Sequence, residues 1–196
     1  MNLPNKLTIF RIILVPLMVI VPFLGLNNEY FGIPLQYLII DFIFIVASTT
    51  DKLDGYLARK NNQVTTFGKF LDPLADKILV LAAMVMLVEM NRLPAWIPII
   101  VLAREFMISG YRLIAVEKGG KVIAASNWGK LKTVTQMLAI ILAFVDLNSF
   151  GECFKGTLQG GALILNIVVT VMMLIQTLAT VVSGIEYMKD AKDLIK

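Results

Sequence analysis

Four aspartates between residues 51 and 76 are the side chains in this sequence best suited to chemistry. Asp51 and Asp54 are three residues apart, and Asp72 and Asp76 are four apart. On helices, each pair would therefore lie on one face. Four carboxylates brought together repel one another, and two divalent cations would neutralise them. Because every donor atom is an oxygen, the pattern predicts Mg²⁺, Mn²⁺ or Ca²⁺ rather than zinc or copper.

The residue types that are missing narrow the chemistry further. The sequence has no histidine, so no imidazole can act as a base, a nucleophile or a metal ligand. Its one cysteine, Cys153, excludes a disulfide within the chain and a cysteine-based zinc site. Catalysis must therefore use carboxylates, lysine, arginine, hydroxyl groups or metal ions.

The composition is that of a membrane protein. Hydrophobic residues make up 58% of the 196 residues and charged residues 16%. Soluble domains are about half apolar and about one quarter charged. A chain with so few charges requires lipid as its solvent. The net charge of +4 is too small to indicate a nucleic-acid partner.

Six apolar runs, each near the roughly 20 residues that a spanning helix needs, follow one another along the chain. They cover residues 7–26, 35–58, 70–88, 94–116, 128–147 and 158–182. Short polar segments separate them. The sequence therefore predicts an all-α, polytopic membrane protein with six transmembrane helices, forming a single domain over residues 1–196.

Lysine and arginine positions predict the orientation of these helices. With the N-terminus inside the cell, 16 of the 18 basic residues fall on the inner side, and Arg92 and Lys155 fall outside. The positive-inside rule then places both termini in the cytoplasm. For a bacterial protein, we expect the cytoplasmic membrane, with the aspartates facing the cytoplasm.

The depth of the aspartates supports one shared site. Asp51 lies about 24 Å along the second run, near its cytoplasmic end, whereas Asp72 and Asp76 lie about 3–9 Å into the third. An antiparallel pair of helices would bring all four carboxylates to one level. A carboxylate at the centre of a span costs roughly 2.5–3.5 kcal/mol, somewhat less near the interface, so the cluster needs compensating cations.

Two simpler explanations are open. The aspartates could pair with basic neighbours, which are Lys52, Arg59, Lys69 and Lys77, or cap the helix ends. Pairing or capping would account for two carboxylates better than for four.

Gly55 and Ala58 share the face of Asp51 and Asp54 and leave space for a bulky ligand. The same small residues also allow close helix packing, and both roles can hold together.

These residues form a recognisable motif. The segment reads D-x-x-D-G-x-x-A-R, then eight residues, then G-x-x-x-D-x-x-x-D, and its fixed positions are Asp51, Asp54, Gly55, Ala58, Arg59, Gly68, Asp72 and Asp76. By this motif the chain is identified as a member of the CDP-alcohol phosphotransferase family. The resemblance implies that the four aspartates hold two divalent cations, Mg²⁺ or Mn²⁺, and that Asp76 is the general base. It also implies a CDP-lipid site formed by Asp51, Asp54, Gly55, Ala58, Arg59, Gly68 and Thr8, and it favours a homodimer.

The N-terminus indicates the acceptor alcohol. Residues 2–8 together with Arg11 resemble the start of bacterial family members that use sn-glycerol 3-phosphate. That resemblance implies transfer of a phosphatidyl group from CDP-diacylglycerol to sn-glycerol 3-phosphate, with release of CMP. Inositol phosphate, serine and phosphatidylglycerol are the alternative acceptors within the family.

A phosphorylated acceptor requires cations, and the candidates are Arg104, Arg112, Lys130 and Lys132. Alternatively, Arg104 pairs with an acid such as Glu105 or Asp41, and the two lysines anchor the helix at lipid headgroups.

A small cation transporter is the rival from another functional class, since it could also use intramembrane aspartates. It would not explain why the four aspartates of the motif lie at the cytoplasmic edge, or why small residues lie beside them.

Overall fold

The computed structural model describes residues 3–26, 28–60, 66–117 and 127–195. Within these ranges, the side chains described are those of residues 5–26, 28–50, 71, 74–111 and 128–189. The α-helices in this part of the chain are α1 (Leu3–Ile20), α2 (Leu35–Lys60), α3 (Thr66–Glu89), α4 (Trp96–Glu117), α5 (Asn127–Val145) and α6 (Gly160–Ile195). Each coincides with one of the six predicted apolar runs, so the prediction of an all-α protein is confirmed.

A short hairpin between α1 and α2 was not predicted. A 3₁₀ helix, Val21–Leu24, ends at Gly25 with φ 63°, and the strands β1 (Glu29–Tyr30) and β2 (Ile33–Pro34) then pair antiparallel. Phe31 and Gly32 form the turn with φ of 55° and 75°, the backbone that two-residue hairpins favour. Nothing in the sequence pattern indicates that Phe31 would adopt a left-handed conformation.

Several helices carry the apolar surface expected in lipid. Among the described residues, the helical stretches that are long and apolar enough to cross a membrane are Asn5–Leu24, Trp128–Val145 and Gly160–Lys189. A shorter apolar helix covers Leu35–Thr50. Large apolar side chains are exposed on these helices, including Ile13 and Leu17 on α1 and Ile164 and Leu178 on α6. The helices are therefore those of a membrane protein.

The chain divides into two compact units. The first contains α1, α2, α3 and the end of α5 from Ile140, and the second contains α4, the first part of α5 and α6. In the first unit, α1 packs on both α2 and α3, and these two pack on each other. Met18, Phe44 and Leu79, one from each helix, are fully buried in this core. In the second unit, α4 packs on α6.

Arg92, after α3, stabilises the end of α5. Its Nη1 donates to the backbone oxygens of Phe144 at 2.9 Å and Ala143 at 3.4 Å, which belong to the last turn of α5, where carbonyls lack helical partners. The guanidinium lies 4.0 Å from the ring centre of Tyr37. Burial lowers the pKa of Arg92, and its interactions with Tyr37 and with Asp146 oppose that shift.

We expect Arg92→Met to lower the free energy of unfolding by about 3 kcal/mol, because it removes a buried cation that interacts with Asp146 and with two buried carbonyls. Unfolding in detergent, followed by circular dichroism, measures the change. Lys155→Met is the matched control, since Lys155 is exposed and should change the stability by less than about 0.5 kcal/mol. Equal stability of the two variants would show that Arg92 does not support the end of α5.

Candidate active site

Two packed helices carry the four motif aspartates. Asp51 and Asp54 are on α2, and Asp72 and Asp76 are on α3. Residues 61–65, which join the two helices, lie outside the described residues. Packed helices joined by so short a connection are antiparallel neighbours, so the end of α2 and the start of α3 face the same side.

The helix bounds place both pairs at one level. Counted from the end of α2 at Lys60, Asp54 and Asp51 lie about 9 and 14 Å along the helix axis. Counted from the start of α3 at Thr66, Asp72 and Asp76 lie about 9 and 15 Å along it. The predicted depth of 3–9 Å on the third helix was counted from the start of the apolar run, and it stays a prediction. The apolar run begins at residue 70, but the helix begins four residues earlier, through polar residues that hydropathy does not detect.

Asp76 is the one member of the four whose side chain is described, and it is half-buried. The side chains of Asp51, Asp54 and Asp72 lie outside the described residues. Those of Ala58 and Arg59 do too, and Gly55 and Gly68 are placed only as helical positions on α2 and α3. Among the side chains that are described, no group of three metal-ligating residues comes together. The metal set and the CDP-lipid set therefore stay predictions.

The donor chemistry nevertheless fits a hard divalent cation. Both helices are regular at the motif, so each aspartate pair shares a face, and all the donors are carboxylate oxygens. Gly55 and Ala58 continue the stripe of Asp51 and Asp54 at helical spacing. By residue type, this face of α2 combines charge for a cation with little side-chain volume, and room for a large ligand stays a prediction.

Helix α1 brings an arginine close to this region of α2. Arg11 is fully buried, and its Nε donates to the backbone oxygen of Ala47 at 3.2 Å. Ala47 is one helical turn before Asp51, so Arg11 supplies positive charge near the first aspartate. Thr8, predicted to contact the CDP-lipid, is buried one turn before Arg11 on α1. The sequence signal for Arg11 was a lone arginine in an apolar helix.

A second polar site lies in the other unit and consists of Arg104, Glu105, Lys132 and Ser183, here called the cation cluster. Glu105 Oε1 accepts from Arg104 Nη1 at 2.7 Å and from Lys132 Nζ at 2.8 Å. Arg104 Nη2 donates to Ser183 Oγ at 2.6 Å. The three charged side chains are 9–18% exposed. Arg104 Nε is buried and has no hydrogen-bond partner among the described residues.

Small residues on α6 leave space for the side chain of Arg104 in the cation cluster. A Cβ atom at Gly184 would lie 3.4 Å from Arg104 Cγ and 3.3 Å from Met107 Cε, closer than most side-chain contacts. Gly184 therefore lets the stem of Arg104 lie close to α6, and the neighbouring Ser183 accepts its hydrogen bond. Sequence reasoning missed Ser183, for which the one signal was a Ser-Gly pair within an apolar helix.

The four predicted acceptor-binding cations have different outcomes. Arg104 and Lys132 come together, through Glu105. The alternative that paired Arg104 with Glu105 is confirmed, and binding of the acceptor's phosphate by Arg104 stays a prediction. Lys130 is exposed and Arg112 is on α4, with its side chain outside the described residues. Neither is shown to join the cluster.

Asp41 on α2, which the sequence offered as an alternative partner of Arg104, is buried. Its Oδ1 has no hydrogen-bond partner in the part of the chain whose side chains are described. It is more than two turns of helix before the first motif aspartate, and we assign it no part in the site.

Comparison with known proteins indicates the same family as the aspartate motif. The family model of CDP-alcohol phosphatidyltransferase matches residues 1–182. A Bacillus subtilis protein is 49% identical over 146 residues, which cover 71% of this chain and 74% of that protein. A Haemophilus influenzae protein is 40% identical over 195 residues, covering 97% and 94%. An Escherichia coli protein is 43% identical over 143 residues, covering 71% and 74%. All three are named CDP-diacylglycerol–glycerol-3-phosphate 3-phosphatidyltransferase.

Proposed function

Because the chain belongs to the CDP-alcohol phosphatidyltransferase family, we propose that it transfers a phosphatidyl group from CDP-diacylglycerol to sn-glycerol 3-phosphate. The products are phosphatidylglycerophosphate and CMP. The observation that carries the acceptor assignment is the similarity to relatives named for this reaction, which extends over nearly the whole length of both chains in one case. The cation cluster supports it, because it offers an arginine and a lysine to a phosphate.

The reaction joins a primary hydroxyl of the acceptor to the phosphorus on the lipid side of CDP-diacylglycerol. The new oxygen–phosphorus bond replaces the bond to CMP, which leaves with its own phosphate. Asp76 takes the proton of the attacking hydroxyl, and Asp51, Asp54 and Asp72 would hold the divalent cations with it. Bound cations, Mg²⁺ or Mn²⁺, would supply charge to the pyrophosphate and to the leaving CMP.

The basic side chains divide by role. The CDP moiety is bound by Arg59, by Thr8 on α1 and by the small positions Gly55, Ala58 and Gly68. The candidates for binding the acceptor's phosphate are Arg104, Lys132, Arg112 and Lys130. Arg104 and Lys132 are the stronger candidates, because both contact Glu105. A phosphate monoester carries about −1.5 to −2 charges at neutral pH, which suits a pair of cations.

The orientation in the membrane follows from charge. We propose that all six helices span a bacterial cytoplasmic membrane, with both termini and the aspartates at its cytoplasmic side. The water-soluble acceptor would then reach the site from the cytoplasm, and both lipids would stay in the bilayer. A homodimer is the expected assembly.

Purified protein with CDP-diacylglycerol and a panel of acceptors tests the proposal. We expect sn-glycerol 3-phosphate to be used at least about 100-fold more efficiently than glycerol, serine or phosphatidylglycerol. Glycerol and serine have no phosphate for the two charge-assisted contacts, and the phosphodiester of phosphatidylglycerol carries less negative charge than a phosphate monoester. Inositol phosphate has a phosphate but no glycerol, so its use as an acceptor shows whether the protein recognises the phosphate or the glycerol. Release of CMP and the identity of the lipid product are the measurements. Preference for an acceptor without a phosphate, or no product at all, would overturn the assignment.

A further inference from the structure

We infer that Glu105 is a positioning residue that cancels half of the positive charge in the cation cluster and thereby limits how tightly a phosphate is held. The inference rests on the proposed function, because it takes the cluster as the site of the acceptor's phosphate. It concerns a residue that contacts both cations and takes no part in bond making.

The geometry shows that Glu105 and a phosphate can share the two cations. Arg104 Nη1 and Lys132 Nζ contact the same carboxylate oxygen, Glu105 Oε1, at 2.7 and 2.8 Å. Two donors that approach one oxygen at about 120° would be separated by roughly 5 Å, a distance that one phosphate group can bridge. An ammonium has three N–H bonds, so Lys132 Nζ can donate to a phosphate while it also donates to Glu105 Oε1. Donors are therefore available without displacing Glu105.

The charges show what Glu105 does to such a ligand. Two cations and one carboxylate give the cluster a net charge of +1, and all three side chains are more than four-fifths buried. Charges in such surroundings interact more strongly than in water. The carboxylate repels an incoming phosphate over the same few ångströms at which the cations attract it. Without Glu105 the cluster would carry +2 and match a phosphate dianion fully.

The chemistry of the reaction explains why weaker binding is useful. The acceptor reacts at a hydroxyl group, so its phosphate is the same in substrate and product. Contacts to that phosphate are made equally before and after the reaction, and such contacts lower KM without raising kcat. A cluster of charge +2 would hold the product as firmly as the substrate. By removing one charge, Glu105 favours release of the product.

Replacement of Glu105 by glutamine tests this, because Gln keeps an accepting oxygen and loses the charge. We expect Glu105→Gln to lower the KM for sn-glycerol 3-phosphate and the inhibition constant of inorganic phosphate by at least about tenfold. The KM for CDP-diacylglycerol should stay within about twofold. Glu105→Asp keeps the charge and should keep phosphate inhibition within about threefold of the wild type. Glu89→Gln, the same change at an exposed position on α3, is the control.

A second pair of variants covers the case in which Glu105→Gln does not fold. Lys132→Gln leaves a cluster of net charge zero, and the double variant with Glu105→Gln returns it to +1. These two proteins differ only at Glu105. We expect the double variant to bind inorganic phosphate at least about tenfold more tightly, as measured by equilibrium binding without turnover.

The outcomes separate this inference from the proposed function. If Glu105→Gln weakens phosphate binding, or the double variant binds phosphate no better than Lys132→Gln, Glu105 acts as a brace and the inference is wrong. That result leaves the acceptor assignment intact as long as the wild type uses sn-glycerol 3-phosphate. If the wild type does not use that acceptor, the proposed function fails first.

Discussion

Turnover of the wild-type protein should stop when a chelator removes divalent cations, and it should return when Mg²⁺ or Mn²⁺ is added back. The four motif aspartates are on two packed helices, and the proposed function brings their negative charges close together. Like charges a few ångströms apart repel by several kcal/mol at an effective dielectric constant of about 20. Cations neutralise that repulsion and supply the charge that the pyrophosphate needs.

The stability of the protein gives a second readout that does not depend on activity. A cation that binds the folded protein stabilises it by about 2.7 kcal/mol at 100 times its Kd. We therefore expect the thermal unfolding midpoint to rise with Mg²⁺ or Mn²⁺ concentration and the rise to disappear in Asp51→Asn. Asp41→Asn is the matched control, since it replaces a carboxylate on the same helix outside the motif. Full turnover in metal-free buffer would exclude the two-cation site.

The sequence predicted the parts of the fold that depend on composition and local spacing. Hydropathy located all six helices, and fixed spacing located the aspartate pairs on α2 and α3. The helix bounds were less accurate, because the start of α3 at Thr66 is polar and hydropathy reports only where apolar residues begin. The earlier start of α3 leaves the spacing of Asp72 and Asp76 unchanged on a helix that packs on α2.

The features that sequence reasoning missed depend on contacts between distant residues. Lys132 meets Glu105 across 27 residues, and Arg104 meets Ser183 across 79. Arg92 contacts carbonyls of α5 more than 50 residues away. No local pattern predicts such pairings, since each depends on how helices pack. For this reason the sequence could propose Arg104 and Lys132 as a set but could not show that one carboxylate joins them.

Replacement of Asp76 by asparagine should produce the largest loss of activity of any single substitution considered for this protein. The chain has no histidine, so a carboxylate is the natural acceptor for the proton of the attacking hydroxyl. Asp76 is half-buried on α3, one turn beyond Asp72, and we proposed it as the base from the resemblance of the motif to the family. General-base catalysis contributes roughly 10²–10⁴-fold, and we expect kcat to fall by at least that factor.

The asparagine variant also separates the base from a metal ligand. Asparagine keeps the size of aspartate and one oxygen that can bind a cation, but it cannot accept a proton. Nearby cations lower the pKa of a carboxylate, so Asp76 acts as a base only if one of its oxygens stays free or the cation also acidifies the hydroxyl. We expect Asp76→Asn to fold, to bind CDP-diacylglycerol within about threefold of the wild type, and to keep part of the cation-dependent stabilisation. Single-turnover rates and equilibrium binding measure these properties, with Asp41→Asn as the control. A near-normal kcat in Asp76→Asn would place the base at another motif aspartate or in solvent.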